Sequence, residues 1–143
     1  MEHIDDKNGC LVAIPGSHRR SILYQYVYPE WEGGVNKAYH GIRDIDESGK
    51  VELHMEKGDT VFFHPLLIHG SGANKTANFR KAISCHYASS DCHYIDVTGT
   101  SQQNIADEVI EIAHKKMGKN LDVKYEDLWH LRSRCVRGVE NKL

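Results

Sequence analysis

Lys57-Gly58-Asp59-Thr60-Val61-Phe62-Phe63-His64-Pro65-Leu66-Leu67-Ile68-His69-Gly70-Ser71-Gly72 is the stretch whose pattern decides the fold. It holds two short apolar runs, 60–64 and 66–69, split by Pro65 and bounded by Gly58-Asp59 and by Gly70-Ser71-Gly72. Apolar runs of this length, fenced by Gly, Pro and Asp, read as strands. The same pattern predicts strands over 10–14, between Asn8-Gly9 and Pro15-Gly16, over 51–55, and over 79–88. Short strands at such spacing predict a mainly β domain, a barrel or sandwich.

Outward from these strands the chain changes character twice. Residues 17–49, with Trp31-Glu32-Gly33-Gly34 and several tyrosines, show no clear period and read as a long excursion. Loops of that length in a compact domain are usually functional or disordered. Near Gly99 the turn signals stop, which predicts a β part over 1–99 and a helical tail over 100–143 packed against it. In the tail, Thr100 and Gln103 fit a capping box, and Ile105, Val109, Ile112 and Ala113 fall on one stripe. Lys115, Lys116 and Gly118 suit that helix's end. A second helix is expected from about 122 to 136, with Tyr125, Leu128, Trp129, Leu131 and Val136 on its apolar side.

Composition excludes several classes. The 143 residues carry 18 Lys+Arg against 20 Asp+Glu, a net charge of −2. With no long basic run, the chain has no electrostatic grip on nucleic acid or on an anionic bilayer. No window approaches the ~18 apolar residues of a membrane span, and from Met1-Glu2-His3 no signal peptide is expected. Cys10, Cys85, Cys92 and Cys135 show no CxxC spacing and are expected to be packed thiols in a reducing compartment. Asn74-Lys75-Thr76 has the letters of a glycosylation site and reads as an ordinary turn.

His69 closes an apolar run and precedes two glycines flanking a serine, so backbone can approach a ligand beside its imidazole. Eleven residues on, Arg80 opens the next predicted strand. A return near Asn74-Lys75 would bring both side chains to one end of the sheet. There a guanidinium suits a carboxylate, which it binds bidentately, and an imidazole suits a metal.

A wider pattern joins these residues. Asn8-Gly9-Cys10-Leu11, Pro15-Gly16-Ser17-His18, Trp31-Glu32-Gly33-Gly34-Val35-Asn36-Lys37, Met55 through Gly72, Asn74-Lys75-Thr76, Phe79 through His86 and Asp91-Cys92-His93-Tyr94-Ile95-Asp96-Val97 closely resemble the phytanoyl-CoA dioxygenase family. The resemblance covers nearly the whole chain. It implies a double-stranded β-helix, a jelly-roll or cupin-like core, with a carboxy-terminal helical extension. It implies an Fe(II)- and 2-oxoglutarate-dependent enzyme, with ascorbate as reductant, that hydroxylates carbon 2 of phytanoyl-CoA and other 3-methyl-branched acyl-CoAs. The setting implied is peroxisomal α-oxidation. Three ligands, a His-x-Asp pair and a distal His, would hold the iron on one face. By motif match His69 is the distal ligand, Arg80 meets the far carboxylate of 2-oxoglutarate, and Ser71 adds a hydroxyl contact to the same cosubstrate.

The sequence departs from that pattern at its start. The family's His-x-Asp pair would lie upstream of Met1, so the core is expected to be incomplete on its amino-terminal side and the fragment inactive alone. His3-Ile4-Asp5 has the right letters but sits in a polar stretch before a turn, and is read as a decoy. A related protein of this fold with another substrate, or a non-catalytic fragment, are the alternatives. Cys85-His86 and Cys92-His93 invite a zinc reading, but neighbours along a strand face opposite ways, so each pair offers one ligand at most. His64 is expected to be structural, Asp59 a turn residue, and Asn74 a support for the return towards Arg80. Trp31, Gly33, Gly34 and Lys37 lie in the long excursion, where loops commonly meet substrate; a CoA phosphate is one reading of Lys37, and a solvated lysine is the one expected.

Overall fold

In the computed structural model, which describes residues 2–27, 41–100, 102–118 and 122–138, a turn decides where the sheet begins. The Asp5 carboxylate accepts the backbone N–H groups of Lys7 (3.0 Å) and Asn8 (3.2 Å). The Asn8 side chain accepts the Asp5 N–H (2.9 Å) and donates to the His3 carbonyl (2.8 Å). Side-chain bonds of this kind take backbone groups out of the ladder and make a turn. Gly9 follows with φ +85°, and the chain leaves as β1, Leu11–Ala13.

β1 is the middle strand of a three-stranded antiparallel sheet, flanked by β2 (Val51–Leu53) and β3 (His69–Ser71). The register sets Leu11 against Leu53 and Ser71, Val12 against Glu52 and Gly70, and Ala13 against Val51 and His69. Directly opposed residues share a face. His69 and Ser71 therefore lie on the face of Leu11, Ala13 and Leu53, while Glu52 lies on the other with Val12. Ile4 pairs with Met55 just past β2 through two backbone bonds of 2.8 and 3.0 Å. Cys10 and Ala13 are buried, as is Ser17 in the 3-10 turn Ser17–Arg20 that follows Pro15-Gly16.

Two predicted strands are absent among the described residues. Segments 60–64 and 79–88 form no ladder, and they leave apolar side chains bare: Phe62 is 87% exposed, Phe79 and Ile83 81% each. The alternation Phe79, Ile83, Cys85, Tyr87 is strand-like, yet β propensity expresses a fit to a half-buried pleated surface, and here no neighbouring strand supplies one. β3 also begins at His69 instead of ending there.

By contact the chain divides into two units, Met1–Tyr24 with Ile42–Ala88, and Gln25–Gly41 with Ser89–Leu143. The first holds the sheet. In the second, α1 (Gln103–Met117) packs on α2 (Tyr125–Arg132), and Ala106 and Leu128 are buried. Val27 and Gly41 form a bridge there through two 3.0 Å bonds. The start of α1 differs from the predicted box: Thr100 Oγ1 accepts the Gln102 N–H (3.2 Å) and Gln103 Oε1 accepts the Gly99 N–H (2.8 Å), each one step from the expected partner. Gly118 ends α1 with φ +108° and ψ 143°, positive φ but not the left-handed helical cap. α2 is shorter than predicted. It starts where Asp127 accepts the Lys124 N–H (2.8 Å) and stops where Ser133 turns extended. Val136 is thus past the helix and exposed, and Trp129 is half-exposed on it; the side chain of Leu131 lies outside those described. Tyr94 meets Tyr125 and His130 edge-on at ring separations of 6.4 and 6.2 Å. Burial first, then Tyr125 and Glu126, raise its phenol above the usual value.

Candidate functional site

The approach to β3 is fixed before His69 is reached. Ser17 Oγ, buried in its turn, accepts the Ile68 N–H at 2.8 Å, and the Ile14 N–H donates to the Ile68 carbonyl at 3.0 Å. Pro15-Gly16-Ser17 is thereby tied to the residue preceding His69. In the sequence this segment marks a strand boundary and carries part of the family resemblance, but its tie to Ile68 is not legible there; a small hydroxyl directly after Pro15-Gly16 is the available signal. His64 holds the preceding turn, accepting the Leu66 N–H on Nδ1 (3.1 Å) and the Leu67 N–H on its carbonyl (2.9 Å), as its structural reading expects. The His18 ring lies 5.6 Å from that of His64, with Nδ1 buried and unpartnered.

His69 itself is exposed at the head of β3, its ring 4.6 Å from that of Phe63. Its Nδ1 lies 2.8 Å from the Leu67 carbonyl oxygen. A carbonyl only accepts, so Nδ1 carries a proton, and in the neutral ring Nε2 then keeps its lone pair. Metal-bound histidines are held this way, the second nitrogen donating to a carbonyl that fixes tautomer and ring plane. Ser71, exposed and two residues on, shares the face of His69.

Arg80 is half-buried in the irregular 79–88 segment, not on a strand beside β3. The return that precedes it is shaped by Asn74. Its amide donates to the Asn78 carbonyl (2.6 Å), and its oxygen accepts the Thr76 N–H (2.9 Å) and hydroxyl (2.7 Å). The glycosylation-like letters thus form an ordinary turn. The return is anchored at its start by two backbone bonds, Gly72 N–H to Cys10 (3.2 Å) and Lys75 N–H to Lys7 (2.9 Å).

His3-Ile4-Asp5 is occupied otherwise. His3 Nδ1 is 2.8 Å from Glu56 Oε1, and its Nε2 is 3.9 Å from Asp5. Burial alone would push the Asp5 carboxyl up, but hydrogen bonds from Asn8 and Lys7, with His3 nearby, hold it below its usual value. Asp59 is the turn residue expected, accepting the Glu56 N–H at 2.8 Å. Trp31, Gly33, Gly34 and Lys37 lie outside the described residues. All four cysteines are free thiols, but only Cys10 is packed; Cys85, Cys92 and Cys135 are exposed. Among the described residues, the one group of three side chains close enough to share an ion is Cys10, Glu52 and His54.

His69 thus presents an oriented imidazole at the head of β3, and Ser71 a hydroxyl on the same face. Comparison with known proteins places these residues in context. The phytanoyl-CoA dioxygenase (PhyH) family model matches residues 1–82. The human protein named phytanoyl-CoA dioxygenase, peroxisomal, is 62% identical over the whole chain, and its rat counterpart 65% over 96% of it. A Caenorhabditis elegans protein named probable phytanoyl-CoA dioxygenase is 52% identical over the whole chain. The chain spans 42%, 41% and 48% of the lengths of these three relatives.

Proposed function

The chain belongs to the phytanoyl-CoA dioxygenase family, and from that premise we propose that it contributes to the site of an Fe(II)- and 2-oxoglutarate-dependent hydroxylase acting at carbon 2 of phytanoyl-CoA and other 3-methyl-branched acyl-CoAs. Its strands would belong to a double-stranded β-helix, and its working place would be the peroxisome. The observation that carries the reading is the His69 Nδ1 to Leu67 carbonyl bond, which leaves Nε2 as a ligand of fixed orientation.

In this reading each residue has a separate task. His69 Nε2 holds the iron as the distal ligand. Arg80 pairs with the far carboxylate of 2-oxoglutarate through two parallel N–H···O bonds, a geometry that lysine cannot reproduce. Ser71 donates its hydroxyl to the same cosubstrate from the face that His69 occupies. Iron, when bound, would bring O2 and 2-oxoglutarate together, so that one oxygen leaves in succinate as CO2 departs and the other enters the C–H bond; ascorbate would act outside that balance, keeping the iron ferrous. His69 alone would hold iron weakly, because a facial site needs two further ligands.

The test is anaerobic addition of Fe(II) and 2-oxoglutarate to the chain and to a version lengthened by the upstream region expected to carry the His-x-Asp pair. The visible charge-transfer band of the chelate is recorded in both. The band should form in the longer protein, vanish in its His69→Ala variant, and weaken in Arg80→Lys. A band that survives His69→Ala would overturn the assignment. A band in the short chain that requires both His69 and His3 would show that His3-Ile4-Asp5 supplies ligands after all.

A further inference from the structure

The opposite face of the sheet carries a second constellation. One step beyond the β1–β2 ladder, the register sets Cys10 across from His54, with Glu52 diagonal to Cys10 and on the same face. Their ligand atoms, the Cys10 sulfur, a Glu52 oxygen and a His54 nitrogen, all lie within 4.8 Å of one another. The geometry points to a zinc site formed by Cys10, Glu52 and His54 on the face of the sheet away from His69.

Four features carry it. The donor set is one sulfur, one nitrogen and one oxygen, the mixture zinc takes in tetrahedral sites. A thiolate and a carboxylate with a neutral imidazole sum to −2, which balances a divalent cation. The 3.6 Å between His54 Nε2 and Glu52 Oε2 is close to the ~3.3 Å edge of a tetrahedron built on bonds of about 2.0 Å. Finally, the ligands differ in freedom as an entry route requires: Cys10 is fixed in the core, whereas Glu52 on edge strand β2 and His54 just past its end are about half exposed and can close on an ion from outside. An open hollow of about 410 Å³ lined by Glu52, His54 and Asp59, among others, lies along this edge, so solvent reaches the two exposed ligands. When the ion binds, the sulfur–metal bond forms as the thiol proton leaves to solvent. The ion then clips edge strand β2 to β1, so it stabilises the folded sheet by mass action.

The test uses the chain with Cys85, Cys92 and Cys135 replaced by serine, which removes the three exposed thiols, and Co(II) as the probe. Co(II) should give thiolate charge-transfer and tetrahedral d–d bands that Zn(II) then bleaches. Cys10→Ser should abolish the charge-transfer band, and His54→Ala and Glu52→Gln should each weaken Co(II) binding by at least about tenfold. The Glu52 and His54 variants alter exposed side chains, so their effect reads ligation separately from folding. His69→Ala should leave the bands in place. Zn(II) should raise the urea midpoint of the parent but not that of His54→Ala. No bands, a charge-transfer band that persists in Cys10→Ser, affinities unchanged by both the Glu52 and the His54 variant, or loss of the bands in His69→Ala would overturn the site.

Discussion

Gly9→Ala is the substitution whose cost the structure defines most closely. Gly9 has φ +85°, a region that costs a side-chain-bearing residue about 1–2 kcal/mol. A Cβ there would also stand 2.5 Å from the Gly72 carbonyl oxygen and 3.3 Å from backbone atoms of Ala73 and Asn74. Those neighbours are backbone, so the contact is relieved only if the two chain segments part. Parting them endangers the Gly72 to Cys10 and Lys75 to Lys7 hydrogen bonds, each about 1 kcal/mol net. The sum is about 3–4 kcal/mol, a large share of a total stability of about 5–15 kcal/mol. Gly49→Ala is the matched control, with φ +78° but nothing within 4 Å of the added carbon, so it carries the conformational part alone. Urea unfolding followed by far-ultraviolet circular dichroism measures both. If Gly9→Ala costs no more than Gly49→Ala, the close approach of the Asn8-Gly9 turn to the strand bearing His69 does not hold that strand, and the reasoning fails.

Ser17→Ala removes the acceptor of the Ile68 N–H. It should cost about 1–3 kcal/mol in urea unfolding, with faster amide exchange at Ile68; unchanged exchange there would refute the role. Asn74→Ala should release the return before Arg80 at a cost of about 0.5–1.5 kcal/mol, seen as faster exchange at the Thr76 amide. Burial first, then the Glu52 charge, raise the Cys10 thiol above its ordinary 9.0. The folded chain therefore holds that proton more tightly than the unfolded one, and this stability is complete below about pH 9 and is lost as pH rises through the folded value. Urea midpoints in chelator should fall above pH 9 in the parent and fall less in Cys10→Ala. Asp5 works in the other direction: its lowered carboxyl contributes stability above its ordinary 3.8 that is lost as pH falls, so Asp5→Ala should blunt the acid limb of the same titration.

Turns were legible because their cause is local. Asn8-Gly9, Gly58-Asp59 and Asn74-Lys75-Thr76 are set by side chains bonding to backbone a few residues away, and each turn forms where the letters place it. Strands at 10–14 and 51–55 were legible in kind, and the ladder shortened them by one or two residues at the ends. The runs at 60–64 and 79–88 were misread as strands because an alternating pattern states which face wants burial and says nothing about whether a neighbour is there to bury it. The exposed Phe62, Phe79 and Ile83 are the physical trace of that gap. Packing of cysteines failed for the same reason: only Cys10, directly before the middle strand of the sheet, is buried.

His69, Ser71 and Arg80 were named from the sequence alone, since residue type and motif carry chemical identity. That His69 Nδ1 is committed to the Leu67 carbonyl depends on a backbone that curls back by two residues. That Ser17, fifty-one positions away, holds Ile68 depends on a contact between segments. The sequence by itself determined which groups can bind a metal or a carboxylate and where the chain turns. Only the tertiary structure decided that His69 and Ser71 share a face, and that Cys10, Glu52 and His54 converge on the other, because antiparallel register between distant segments is set by the pairing of whole strands and not by any one of them.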